Sequence, residues 1–182
     1  MEPETPILLI LDLDETLIHA TEESLGHDHD FLVGPYRVYR RPHLAEFLTT
    51  CSAAFRLAVW SSASDDYVRE VVGRIIPPGV PLAFAWDRSR CVRRYDPELF
   101  EDHPLKDLKK VKRLGYHLDR ILIADDTPHK VMRNYGNVVY VPPFHGSPDD
   151  RMLPKLAKYL DSLRHLTSVR SVEKRGWLGN MP

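Results

Sequence analysis

Asp12 and Asp14 stand directly behind an apolar run, residues 7–11, and a second acidic pair, Asp125 and Asp126, stands directly behind another, residues 121–124. Alternate residues of an extended segment point to the same side, so Asp12 and Asp14 project together. Carboxylates crowded in this way repel each other unless a cation or a shared proton relieves them. A hard divalent cation with oxygen ligands does so, and Mg2+ also holds phosphate oxygens. Ser61, behind the apolar segment 55–60, adds a hydroxyl, and Lys106 adds a cation able to bind a phosphoryl oxygen. Together these residues could carry phosphoryl transfer. Taken singly they say less. An Asp-x-Asp pair is a common solvated turn, Asp125-Asp126 serves equally as a helix cap, Ser62 sits one place from Ser61, and Lys109 and Lys110 are close to Lys106.

Such residues need a scaffold that ends several strands at one place. The run 7–11 is continuously apolar, as expected of a central strand buried on both faces of a parallel sheet. Further strands are predicted at 36–40, 55–60, 82–86, 121–124 and 138–141, with helices at about 42–50, 65–74, 106–114 and 149–166. Pro42 suits the first turn of its helix, Ser64 could cap the next, and Gly115 is a stop signal. Strands alternating with helices argue for an α/β fold with a mainly parallel sheet. In such sheets ligands bind beyond the carboxyl ends of the strands, where both acidic pairs fall. Residues 21–35 read as a loop or flap; His27, Asp28, His29 and Asp30 within it could be metal ligands or ordinary flap residues. Residues 87–105, with Arg88, Arg90, Arg93 and Arg94, Asp96-Pro97 and His103-Pro104, read as a small irregular or hairpin insertion.

Length and composition fit this picture. The chain has 182 residues, 43% of them hydrophobic and 28% charged, which suits one globular domain. We expect that domain at 1–167 and a loose tail at 168–182, with Trp177 able to dock. A net charge of -1 provides no global attraction to nucleic acid or anionic membranes, so direct nucleic-acid binding is not expected. Cys51 and Cys91 make no metal-ligand pattern and are expected as free thiols. The first apolar run is too short for a signal peptide core or a membrane span. A cytoplasmic address without a membrane partner is the resulting expectation.

The motif Asp12-Leu13-Asp14-Glu15-Thr16-Leu17 resembles the first signature of the haloacid dehalogenase (HAD) superfamily of phosphohydrolases. Ser61, Lys106 and Asp125-Asp126 match the second, third and fourth motifs in order, across residues 7–128. The start of the chain through His19, Arg41-Pro42-His43 with Glu46-Phe47-Leu48, Trp60-Ser61-Ser62-Ala63-Ser64 with Tyr67, and Lys106-Asp107-Leu108 are similar to the FCP/SCP-type (NLI-interacting-factor-like, CTD phosphatase-like) members. The small insertion at 87–105 sits where those proteins carry a short β-insertion. Asp125-Asp126-Thr127-Pro128 departs from their usual Asp-Asn-Ser-Pro, which bears on substrate preference.

The resemblance implies a HAD-type Rossmann-like sheet flanked by helices, without a large cap, and a Mg2+-dependent phosphomonoesterase. It implies Asp12 as the nucleophile that forms an aspartyl-phosphate, and Asp14 as general acid and then general base. Ser61 and Lys106 would bind the phosphoryl oxygens, Lys106 also orienting Asp12. Thr16 and Asp125 would support the site. Mg2+ would be held by Asp12, the backbone carbonyl of Asp14, and Asp126. The substrate would be a phosphoserine or phosphothreonine protein segment, or else a small phosphomonoester. Two rivals remain at this stage: a non-catalytic peptide-binding module on the same fold, and a phosphotransferase. The sequence leaves the oligomeric state open.

Overall fold

The computed structural model describes residues 6–96 and 101–180. The part of the expected insertion at 97–100, Pro97 included, and the last two residues of the expected tail lie outside them.

The core is a five-stranded parallel sheet of β1 (Leu8–Leu11), β5 (Arg56–Trp60), β6 (Leu82–Trp86), β9 (Ile121–Asp125) and β10 (Val138–Tyr140), in the order β10-β9-β1-β5-β6. Strand alternation divides its side chains between two apolar layers. Leu9, Leu11, Leu57, Val59, Leu122 and Ala124 face one layer, while Leu8, Ile10, Ala58, Trp60, Ile121 and Ile123 face the other. This explains why β1 and β9 are apolar at nearly every position: neither has a solvent face. The first layer is closed by helices α1 (Leu44–Ala54), α2 (Asp65–Ile75) and α5 (Met152–Leu163). The second is closed by the short helices α3 (Lys109–Lys112) and α4 (Pro128–Val131) with Trp86.

The remaining strands lie in two small sheets. The segment expected as a flap is partly ordered into strands: β2 (Ile18–Thr21), β3 (Phe31–Val33) and β4 (Tyr36–Arg40) form an antiparallel sheet in the order β2-β4-β3. The insertion contains an antiparallel hairpin of β7 (Val92–Asp96) and β8 (Glu101–Leu105).

Helices α1 and α3 start later than the sequence expectation, each for a local reason, and the expected cap of α2 is not made. α1 begins at Leu44 rather than at Pro42, because His43 has φ 68°, in the left-handed region, so the helix cannot start before it. Ser64 precedes α2 in extended backbone but makes no side-chain cap bond. α3 begins only at Lys109, because Asn134 binds the backbone on both sides of Asp107. Its Nδ2 donates to the Lys106 carbonyl at 2.5 Å and its Oδ1 accepts from Leu108 N at 3.1 Å.

The segment from 168 onward, expected as loose, packs against the sheet. Val169 and Trp177 are buried. The Trp177 ring stacks on Tyr159 at 4.8 Å, and its Nε1 donates to the Tyr140 carbonyl at 2.7 Å. Trp177→Ala should therefore cost about 3–5 kcal/mol, the usual loss for a buried aromatic truncated to alanine. Urea denaturation followed by far-UV circular dichroism reads this as a lowered midpoint. Cys51 and Cys91 are both free, and burial pushes the Cys51 thiol up to about 12.

Candidate active site

The chain passes from β1 to β5 on one side of the sheet and returns to β9 on the other, so the crevice between the carboxyl ends of β1 and β9 is a topological switch point. Asp12 follows β1, and Asp125 closes β9. The Asp12 amide donates to the Ala124 carbonyl at 3.0 Å, which ties the two strand ends together.

Lys106 enters this crevice fully buried. Its Nζ donates to Asp12 Oδ1 at 2.7 Å and to Asp125 Oδ2 at 2.6 Å. Burial alone would lower the lysine's pKa, but the two carboxylates raise it above its ordinary value, so it stays charged. For Asp125, burial pushes the carboxyl up while Lys106 pulls it down. With a lysine held cationic between them, Asp12 and Asp125 carry its countercharge. The second oxygen of Asp125 accepts from Thr127 N at 2.8 Å, so both of its oxygens are engaged. Asp12 Oδ2 is different: it is buried and has no hydrogen-bond partner among the described residues.

Asp126 lies beside this pair. Thr16 Oγ1 donates to its Oδ1 at 3.3 Å, and Thr127 Oγ1 donates to its Oδ2 at 3.0 Å. Burial, then the nearby Asp12 charge, raises its pKa. Asp12, Asp125 and Asp126 bring carboxylate oxygens within 4.8 Å of one another. An oxygen-only donor set with an orphaned buried oxygen is what a hard divalent cation such as Mg2+ requires, so these residues fit the ion that the sequence suggested.

Asp14 stands outside that cluster, on the side of α2. Burial pushes its carboxyl up to about 6, against a lowering hydrogen bond from Tyr67, whose hydroxyl donates to Asp14 Oδ1 at 2.5 Å. Burial and then the Asp14 charge push the Tyr67 phenol well above its ordinary range, so it remains a donor. Ser61 is buried behind β5, where its Oγ accepts from Ala63 N at 3.0 Å. No hydrogen bond joins it to the Asp12–Lys106–Asp125 group among the described residues.

Three further residues hold the site and were not singled out as site residues from sequence. Tyr67 tunes Asp14. Asn134 fixes the backbone around Lys106. Arg41, fully buried, pairs with Asp150 at 2.9 and 3.0 Å, and donates to the Thr16 and Pro142 carbonyls at 3.0 Å. Arg41 thus clamps the loop that carries Asp14. Beside Asp14 opens a cleft of about 500 Å³, lined among others by Val33, Pro35, Tyr36, Tyr67 and Arg88. Of the four arginines in the insertion, Arg88 reaches this cleft and Arg90 lies over the Trp86 ring at 5.3 Å. His27 and His29, weighed as metal ligands, belong to neither group of convergent ligand atoms found among the described residues; both rings face Tyr39.

Known proteins resemble this chain along most of its length. The family described as NLI interacting factor-like phosphatase matches residues 7–170. The chain is similar to the "CTD nuclear envelope phosphatase 1 homolog" of Caenorhabditis elegans, 29% identical over 92% of this chain and 71% of that protein. It is also similar to "Nuclear envelope morphology protein 1" of Saccharomyces cerevisiae, 28% identical over 90% of this chain and 40% of that protein. Among solved structures it resembles Fcp1, described as an essential RNA polymerase II CTD phosphatase, with a TM-score of 0.67 and 17% identity. That match covers 87% of this chain and 62% of the other, and shows the shared HAD fold. The relatives' names overturn the expectation of a cytoplasmic address, since the worm and yeast proteins are both named for the nuclear envelope. Address is set by signals and partners that a catalytic core does not display. Among the described residues no helix is long and apolar enough to cross a membrane.

Proposed function

The chain belongs to the NLI interacting factor-like phosphatase family, a family of phosphoric monoester hydrolases, and from that premise we propose that it dephosphorylates phosphoserine or phosphothreonine in a protein segment, using Mg2+ and an aspartyl-phosphate on Asp12. The observation that carries this reading is the state of the Asp12 carboxylate. One oxygen is fixed by the buried Lys106, and the other is buried without a hydrogen-bond partner among the described residues.

In this mechanism Asp12 attacks phosphorus in line, and the ester oxygen leaves as Asp14 gives it a proton. Asp14 then takes a proton from the water that hydrolyses the acyl-phosphate. Lys106 has three N–H donors, two of them on Asp12 and Asp125, which leaves one for a phosphoryl oxygen. Ser61 offers its hydroxyl to another. The Asp12 and Asp126 carboxylates, with the Asp14 carbonyl, would hold the metal, while Asp125, whose Oδ2 accepts from the Lys106 ammonium, keeps Lys106 in place. When bound, Mg2+ supplies positive charge between the anionic nucleophile and the anionic phosphate. The open cleft beside Asp14 suits an extended peptide, its tyrosine and proline side chains flanking the phosphorylated residue and Arg88 meeting an anionic neighbour. Phosphate release from phosphoserine peptides and p-nitrophenyl phosphate tests this. Turnover should require Mg2+ and favour the peptides in kcat/KM. Metal-independent turnover, or none from any phosphopeptide, would reject it.

The pH profile tests the role of Asp14. A general acid must be protonated in the free enzyme, so kcat/KM should fall as pH rises through about 6. The Tyr67 hydroxyl stabilises the ionised carboxylate and so lowers this pKa. Tyr67→Phe should therefore move the alkaline limb upward, by about one pH unit. A downward or absent shift would separate Tyr67 from the titrating group.

A further inference from the structure

A second convergence of metal-ligating atoms lies next to the catalytic loop and has no part in the mechanism above. Glu15, His19 and His145 place a carboxylate oxygen and two imidazole nitrogens within 4.8 Å of one another. His19 Nδ1 lies 2.8 and 3.0 Å from the two oxygens of Glu15, and His145 Nδ1 lies 3.0 Å from Glu15 Oε2. Two rings from distant segments thus aim the same nitrogen at a single carboxylate. We propose that Glu15, His19 and His145 form a binding site for a borderline-soft divalent ion of the Zn2+ type.

The backbone around the three residues is built for this approach. Glu15 has φ 63°, a left-handed conformation uncommon for a residue with a side chain. It is held there by Glu15 N donating to the Ile18 carbonyl at 2.8 Å and by Phe144 N donating to the Glu15 carbonyl at 2.7 Å. The second of these bonds docks the loop of His145 onto the loop of Glu15. Gly146 completes the contact. Its φ of 84° is a left-handed conformation that glycine adopts freely, and a Cβ there would lie in ordinary contact with His19 Cδ2 at 3.5 Å while displacing only the flexible end of Leu25.

Donor chemistry selects the ion. Imidazole nitrogen favours Zn2+ and its transition-metal neighbours, whereas Mg2+ prefers oxygen. Zinc bonds of about 2.0–2.2 Å give tetrahedral ligand separations of about 3.3–3.5 Å. The present nitrogen–oxygen distances lie a few tenths of an ångström below that, so small side-chain rotations admit the ion. Two histidines and one glutamate are a known three-ligand zinc set, with the fourth position open. His145 is 70% exposed, which leaves that fourth position to solvent. Bound there, the ion would tie the loop that follows β10 to the loop that carries Asp14.

Metal-free full-length chain is titrated with Co2+ while excess Mg2+ fills the Asp12–Asp126 site. One equivalent should bind with the intense visible absorption of a four-coordinate site, Zn2+ should displace it, and Zn2+ should raise the melting temperature. His145→Ala, at an exposed position that does not threaten folding, should weaken Co2+ binding by more than tenfold and abolish the Zn2+-dependent shift. Loss of a mere supporting hydrogen bond behind a metal ligand already costs roughly 10–100-fold. His19→Gln should act likewise, and Asp126→Asn should leave the Co2+ signal unchanged. Co2+ binding that survives His145→Ala at full affinity, or that disappears with Asp126→Asn, would overturn the proposal.

Discussion

Asp12→Asn should lower kcat for a phosphoserine peptide by about 10⁴-fold or more, because in the proposed mechanism the amide removes the attacking oxyanion rather than a supporting contact. The substitution keeps the shape of the side chain and spares its bond with Lys106, so the protein should fold normally. The loss must then appear in the chemical step. Acid quenching of the wild type during turnover should trap one phosphate per chain, releasable by hydroxylamine as expected of an acyl-phosphate. Asp12→Asn should trap none. Asp14→Asn should give the opposite pattern with p-nitrophenyl phosphate, whose leaving group needs little protonation. Attack still occurs, but the water that clears the intermediate has lost its base, so labelled protein accumulates. Trapped phosphate in Asp12→Asn would assign the nucleophile elsewhere.

Lys106→Met should damage the fold as well as the reaction. The lysine is wholly buried, and its two partners are almost as deeply buried. Removing one member of such a group strands the others, at a cost of about 3–5 kcal/mol. The sign of the pH dependence follows. Asp125 is already raised by burial, and without the lysine it loses the cation that pulls it down and rises further above its unfolded value. The penalty is therefore small below the unfolded carboxylate pKa of about 3.9 and grows as pH rises beyond it. The gap between the wild-type and variant urea midpoints should be wider at pH 8 than at pH 4.5. Millimolar Mg2+ should narrow it at the higher pH by binding the folded state alone. A variant as stable as wild type at pH 8 would mean that the lysine is not the countercharge of the crevice.

The parts of this molecule that the sequence made legible are those whose cause is local. β1, β5 and β9 are apolar on consecutive residues because both of their faces are covered, and the polar residue that breaks each run marks the end where the sheet opens to solvent. That is enough to bring Asp12, Ser61 and Asp125 to one edge. β2 and β3 were hidden because they are short and partly exposed, so their pattern resembles a polar loop. The roles of Tyr67, Arg41 and Asn134 in shaping the site were hidden for another reason. Tyr67 meets Asp14 across 53 positions, Arg41 meets Asp150 across 109, and Asn134 meets Lys106 across 28. Each reads locally as an ordinary helix, turn or surface residue, and its purpose exists only once the chain has closed on itself.

The Arg41–Asp150 clamp also has a consequence for synthesis. Arg41 leaves the ribosome long before its partner, and β1 emerges well before β9, the strand that covers its other edge. Until then β1 has a partner only along its β5 edge, with Asp12 and Asp14 beside it, a segment suited to chaperone capture. Only when Asp150 has been translated can Arg41 be buried without an unpaired charge and the loop around Thr16 take its final shape. Chains stalled before that point would hold Asp12, the proposed nucleophile, but not its cradle, so dephosphorylation would begin only after Asp150 had been made.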